Sequence, residues 1–304
     1  MSEEKIHEKY EFDKEPINIG EYGYIYIIRD KKLKTEYLLK KLLKKKFDNI
    51  KNKKTFEKEL EFKNKKTFKE ELEFLINVKG KNIININDYY NNDKDENEIY
   101  NYMIFEKMDG DLDEMLNMEK YSKGMPSDLI KKIFSQFNSA LKIMKDKKRI
   151  PKYLILSNIL YSYTSEKKTD FVIKFGDLSI SSNTIETEMY KAPEINDNSS
   201  LDTCILYSIG LILYKLKTGE YIFEGNDLLE ILTNKKNNKI KSDTNDTILN
   251  ELIKQLVVKD PKNRMKWEDY FEHPFFKEVD NNQTQNQNQA RIIYLNYFII
   301  KYKR

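Results

Sequence analysis

Apolar and polar positions alternate over the first forty residues, in INIGEYGYIYIIRD (17 to 30) and, after the polar turn KKLKTE, in YLLKKLL (37 to 43). A period of two is the signature of half-buried strands, so these runs are expected to form a glycine-containing hairpin. NIININDYY (82 to 90) and EIYNYMIFEKM (98 to 108) predict two more strands around the polar turn NNDKDENE. From Asp109 the period lengthens. DLDEML and LIKKIFSQFNSALKIMKDKK place apolar residues near i, i+3, i+4 and i+7, the stripe of amphipathic helices. A strand-rich region therefore precedes a helix-rich one.

Two segments interrupt this pattern. KNKKTFEKELEF (51 to 62) is followed at once by KNKKTFKEELEF (63 to 74), which differs only by an exchanged Glu and Lys. Twelve residues are too few for a solenoid unit, so the copy is a local duplication of helical composition. Residues 281 to 290 (NNQTQNQNQA) are low-complexity and expected to be disordered. The closing RIIYLNYFIIKYKR is apolar with basic ends.

Composition narrows the classes. In 304 residues, 54 basic and 50 acidic side chains are interspersed and give a net charge of +4. That is unlike the one-sided basic stripe of duplex-binding proteins, so nucleic acid is not an expected partner. One cysteine, Cys204, excludes an internal disulfide, and with two histidines no Cys/His zinc site can form. The start carries no apolar signal-peptide core, and no run reaches the roughly 18 apolar residues of a membrane span. The expectation is an intracellular, cytoplasmic protein without a transmembrane segment. Arg291, Lys301, Lys303 and Arg304 flank the apolar tail and permit at most weak contact with a membrane surface.

Several segments, in order, resemble the eukaryotic protein kinases over roughly residues 15 to 279. LIKQLVVKDPKNRMKWEDYFEHPFF is close to how serine/threonine kinase domains end, and TEMYKAPEI looks like the close of their activation segment. The resemblance implies a two-lobed α+β fold, with a small strand-rich N-lobe containing one main helix and a larger helical C-lobe. It places an N-terminal extension at 1 to 14, the N-lobe at 15 to 108, the C-lobe at 109 to 279, and a linker with the tail at 280 to 304. Five strands are expected in the N-lobe, with a hinge near Glu106 to Gly110. It also implies a structural pair between Glu194 of A-P-E and Arg264 of D-P-x-x-R.

The same resemblance assigns a nucleotide site. YLLKKL looks like the strand whose lysine grips phosphates, which makes Lys40 that lysine and puts Leu38, where the family has a small residue, at the roof of the adenine pocket. Ile19, Gly20, Gly23 and Ile25 correspond to the Gly-rich loop and its strand, Phe105 to the gatekeeper, Glu106 and Met108 to the hinge, and Leu160 to the floor. The loop has lost about two residues, including the middle glycine of G-x-G-x-x-G. The helix glutamate that pairs with Lys40 falls at Glu71 counting back from KNII, or at Glu59 counting forward. Twelve helical residues turn the copies by about 120° and displace them by about 18 Å, so only one can face Lys40. The expectation is Glu71, because the loop before the helix can absorb the insertion.

The catalytic loop departs furthest. RIPKYLILSNIL (149 to 160) aligns without gaps to the family's I-x-H-R-D-L-K-P-x-N-I-L, putting Lys152 at the arginine, Tyr153 at the catalytic aspartate and Ile155 at the lysine. The aspartate accepts the attacking hydroxyl's proton; a phenol with a pKa of about 10 does so poorly near neutrality. Asn158 is retained as a magnesium ligand. In VIKFGDLSIS, Asp177 occupies the D-F-G aspartate if Lys174 keeps the family's upstream lysine; a literal match to Phe175-Gly176 instead puts Lys174 in its place. Ile205 stands where an aspartate normally braces the loop. The resemblance thus implies a pseudokinase acting as a regulatory or interaction module with protein partners, its Mg²⁺ and ATP binding weak or absent. An atypical active serine/threonine kinase and a decaying product without a role are the alternatives.

Overall fold

The computed structural model describes residues 3–20, 23–43, 68–90, 100–151, 154–176, 185–195, 201–223, 225–237, 240 and 244–277. Tyr153, Asp177, Glu59, the first repeat copy and the tail lie outside the described residues. The chain divides into two compact units, Met1–Asp111 with Ser157–Ser182, and Leu112–Leu156 with Asn183–Arg304.

The first unit is built on an antiparallel sheet. Its strands are β1 (Tyr10–Phe12), β2 (Asn18–Gly20), β3 (Gly23–Asp30), β4 (Glu36–Leu43), β5 (Ile86–Tyr90) and β6 (Tyr100–Glu106). They run in the order β1-β3-β4-β6-β5, with β2 paired to β3. Side chains alternate across a strand, and here that alternation builds two cores. One face gathers Ile25, Leu38, Met103 and Phe105 with Phe68, Leu72 and Leu75 of helix α2 (residues 68–77). The other gathers Ile28, Leu39, Tyr102 and Ile104 with Ile6 and Tyr10. Five of the described strands lie between residues 15 and 108, as expected, and β1 adds a sixth to the sheet. Residues 1–14, expected as an extension, supply α1 (Glu3–Lys9) and β1, and these cover the second face. A three-residue strand is too short for its period to register in sequence.

The first unit also takes in a three-stranded sheet, β7 (Gly110–Asp111), β8 (Ile159–Tyr163) and β9 (Phe171–Phe175). Asn82 Nδ2 donates to Ile173 O at 2.7 Å, and Ile84 N donates to Phe175 O at 2.8 Å. These bonds tie the hairpin to the segment that follows α2, although it lies far along the chain.

The second unit is helical: α3 (Leu112–Leu116), α4 (Ser127–Asp146), α5 (Ile185–Tyr190), α6 (Leu201–Thr218), α7 (Leu228–Lys236), α8 (Thr247–Leu256) and α9 (Trp267–Phe271). The stripe read in 129 to 148 is the buried face of α4, with Ile130, Ile133, Phe134, Phe137, Leu141 and Met144 inward. Buried residues run without a gap from Cys204 to Tyr214 on α6, the pattern of a helix surrounded by others. Among the described residues no helix is long and apolar enough to cross a membrane.

Candidate functional site

The candidate site in the first unit begins with a strand and a helix. β4 pairs with β3 and β6 so that Leu38 lies opposite Ile27 and Phe105, and Lys40 opposite Ile25 and Met103. Lys40 is 2% exposed, and a buried ammonium requires a partner. The helix supplies it. Phe68, Leu72 and Leu75 anchor one face of α2, and Glu71 shares that face, one turn from Phe68 and Leu75. Lys40 Nζ lies 2.8 Å from Glu71 Oε1 and 2.9 Å from Oε2. The second repeat copy thus carries the partner of Lys40.

The glycine pair closes a tight hairpin. Gly20 pairs with Gly23, leaving two residues between β2 and β3. A Cβ at Gly23 would come within 2.0 Å of Lys41 O, so the close approach of β4 demands glycine there. Glycine at 23 is therefore required for packing against β4. Ile19 is two-thirds exposed on β2.

On the other side stand Asn158 and the β8-β9 hairpin. Asn158 closes a 3-10 turn, Leu156–Asn158, and its carbonyl accepts from Gly176 N at 3.1 Å. Its side chain is 2% exposed, and Oδ1 has no hydrogen-bond partner among the described residues. Leu160 pairs with Lys174 across the ladder. Lys174 Nζ reaches Glu106 at 2.6 and 2.8 Å, and Glu106 Oε1 also accepts from Asn85 N at 2.8 Å. The Lys174–Glu106 pair escaped the sequence reading; its only trace was a lysine between the apolar Ile173 and Phe175.

The second unit holds the catalytic-loop positions Leu154 to Leu156 and the end of the activation segment. Ile155 is 5% exposed beside Thr187, Tyr190 and Ser208, and Ile205 is fully buried. Both positions that the resemblance gives to charged side chains are filled with hydrocarbon. Elsewhere the unit keeps its ionic contacts. Arg264 forms a bidentate pair with Glu194, at 2.5 Å to Oε1 and 3.2 Å to Oε2. It also donates to Thr203 O at 2.6 Å and to Val258 O at 3.0 and 2.7 Å. All five guanidinium N–H bonds are used. Lys235 of α7 donates to the carbonyls of Glu188, Met189 and Lys191, capping α5, although burial lowers its pKa to about 8. No cluster of three or more His, Cys, Asp or Glu side chains among the described residues is placed to hold a metal.

Comparison with known proteins follows the same lines. The chain is 28% identical over 229 residues to serine/threonine-protein kinase TIO of Arabidopsis thaliana, covering 71% of this chain and 16% of the relative. It is 27% identical over 217 residues to serine/threonine-protein kinase atg1 of Dictyostelium discoideum, covering 67% and 31%. Calcium-dependent protein kinase 3 of Plasmodium yoelii yoelii is 26% identical over 296 residues, covering 90% and 49%. The chain thus spans half or less of these relatives' lengths. The solved structure of Rad53 1-466 in complex with AMP-PNP superposes with a TM-score of 0.71 at 18% identity, covering 90% of this chain and 66% of that one. That likeness establishes the two-lobed α+β kinase fold. The model of the protein kinase domain matches residues 12–276, the greater part of the sequence, and the chain belongs to the protein kinase domain family.

Proposed function

We propose that this chain is a catalytically impaired member of the family, a pseudokinase that works as a regulatory or interaction module with a protein partner inside the cell. The observation that carries the proposal is the catalytic loop: between Arg149 and Leu160 there is no Asp or Glu, Tyr153 occupies the proton-accepting position, and Ile155 the cationic one. The burial of Ile155 and Ile205 supports it.

The residues present fit a cation and phosphates better than they fit catalysis. Asn158 Oδ1 is a buried oxygen with no hydrogen-bond partner among the described residues, the kind of ligand Mg²⁺ accepts. We assign Asp177 as its companion, because Lys174 is committed to Glu106 within β9 and is poorly placed to stand for the metal ligand. Lys40, held by Glu71, would meet phosphate oxygens. Mg²⁺, when bound, would neutralise phosphate charge. The second reading, an atypical active serine/threonine kinase, draws on the same Lys40–Glu71 pair, since phosphoryl transfer depends mostly on positioning and electrostatics.

Restoring the carboxylate separates the two. Tyr153→Asp alone is expected to leave phosphate transfer at the background of a Lys40→Ala control, because Ile155 and Ile205 still leave the loop uncharged and unbraced. Transfer regained by that one change, typically worth about 10² to 10⁴ in rate for a general base, would mean the remaining machinery is intact and would contradict the module reading.

A further inference from the structure

We infer that Leu38 acts as a built-in plug that takes the place of a purine base, so that the site excludes adenine nucleotides at their base while keeping groups suited to phosphate and metal. This inference rests on the proposed site and concerns what that site can hold. Leu38 and Lys40 lie on one face of β4, two residues or about 7 Å apart along the strand. A ligand whose anion meets Lys40 and whose ring extends along the strand must lay that ring against Leu38. Leu38 is 5% exposed, Ile25 4%, Met108 7% and Leu160 3%, and all four belong to one core cluster with Phe105.

A slot that awaits a flat aromatic ring leaves the side chains lining it open to water. Here the side chains that would enclose the base already exclude water. A well-packed core resists additional volume, because inserted atoms force side chains off their rotamers and shift the backbone. Strand register leaves Leu38 little freedom to yield, fixed as it is between Ile27 and Phe105. The contrast with the polar end is sharp. There Asn158 Oδ1 is a buried acceptor lacking a hydrogen-bond partner among the described residues, whereas the apolar end has already filled itself.

The test is binding of adenosine, which has no phosphates, followed by calorimetry and thermal shift without any catalytic readout. The unmodified chain is expected to show no saturable binding up to millimolar adenosine. Leu38→Ala should remove the side-chain volume that competes with the ring, giving saturable binding at least tenfold tighter than the unmodified chain. Leu39→Ala, which empties the opposite face of the same strand, serves as control and should gain nothing. If Leu38→Ala lacks a cooperative melt, Leu38→Val takes its place, with a smaller gain expected. Saturable adenosine binding by the unmodified chain overturns the inference, as does a folded Leu38 variant that gains no more than the Leu39 control. Phosphate transfer by a Leu38 variant would instead contradict the pseudokinase reading and leave the plug standing.

Discussion

The two units retain charge for different reasons. In the first, Lys40 is buried against Glu71, with Asn158 offering a buried oxygen in the same unit. In the second, Arg264 and Glu194 are buried to the same degree, and every guanidinium N–H is spent on Glu194, Thr203 and Val258. The positions of the second unit that the resemblance gives to the catalytic-loop lysine and to the loop-bracing aspartate, Ile155 and Ile205, carry no charge. On the proposed reading, charge has been kept where it holds packing together and lost where catalysis needs it. The first unit is intermediate: its ion pair braces a helix against a sheet and is also suited to phosphate.

The two ion pairs differ in what their removal is expected to cost. Arg264→Ala strands a buried carboxylate and three accepting contacts, and should lower stability by about 3–5 kcal/mol. Arg264 also bonds the carbonyls of Thr203 and Val258, whereas Lys40→Met removes an ammonium held by Glu71 and should cost about 1.5–3 kcal/mol. Urea unfolding of the two variants measures both; a Lys40 variant less stable than the Arg264 variant would reverse the ranking.

A smaller effect comes from a buried neutral group in the second unit. His273 is fully buried, its Nδ1 accepts from Phe275 N at 3.2 Å, and burial lowers its pKa to about 3 from an ordinary 6.5. Above pH 6.5 it is neutral folded and unfolded, so it makes no difference. As pH falls from 6.5 toward 3 the unfolded chain takes up the proton first, and stability declines, by about 2 kcal/mol at pH 5. His273→Asn keeps an acceptor without the titration, so the slope of stability against pH over that range should flatten. An unchanged slope would remove His273 from the account.

Much of this was legible before the fold was known. The strand period placed Leu38 and Lys40 on one face, and the helical period placed the inward stripe of α4, because both depend on local repetition. A-P-E and D-P-x-x-R located Glu194 and Arg264, which no local pattern could have joined across the chain. Geometry at the nucleotide site was harder. Reading backward from Asn82 pointed to Glu71, which carries the ion pair with Lys40; the strand expected to begin near Asn82 starts only at Ile86, and the segment after the helix is fixed instead by the bonds of Asn82 and Ile84 to β9. Lys174–Glu106 was not visible, since an ion pair between distant strands leaves no periodic trace. The role of α1 and β1 was missed for the opposite reason. Ile6 and Tyr10 are isolated apolar residues in a charged stretch, and only the apolar outer face of the sheet explains their burial.

The central claim is that the chain does not transfer phosphate. Its most direct test is incorporation of ³²P from [γ-³²P]ATP and Mg²⁺ into the chain itself and into a generic serine/threonine substrate, with Lys40→Ala and Asp177→Ala run alongside. The account predicts that the unmodified chain is indistinguishable from both variants. Magnesium-dependent incorporation that either substitution abolishes would contradict it and leave an active kinase with an unusual catalytic loop.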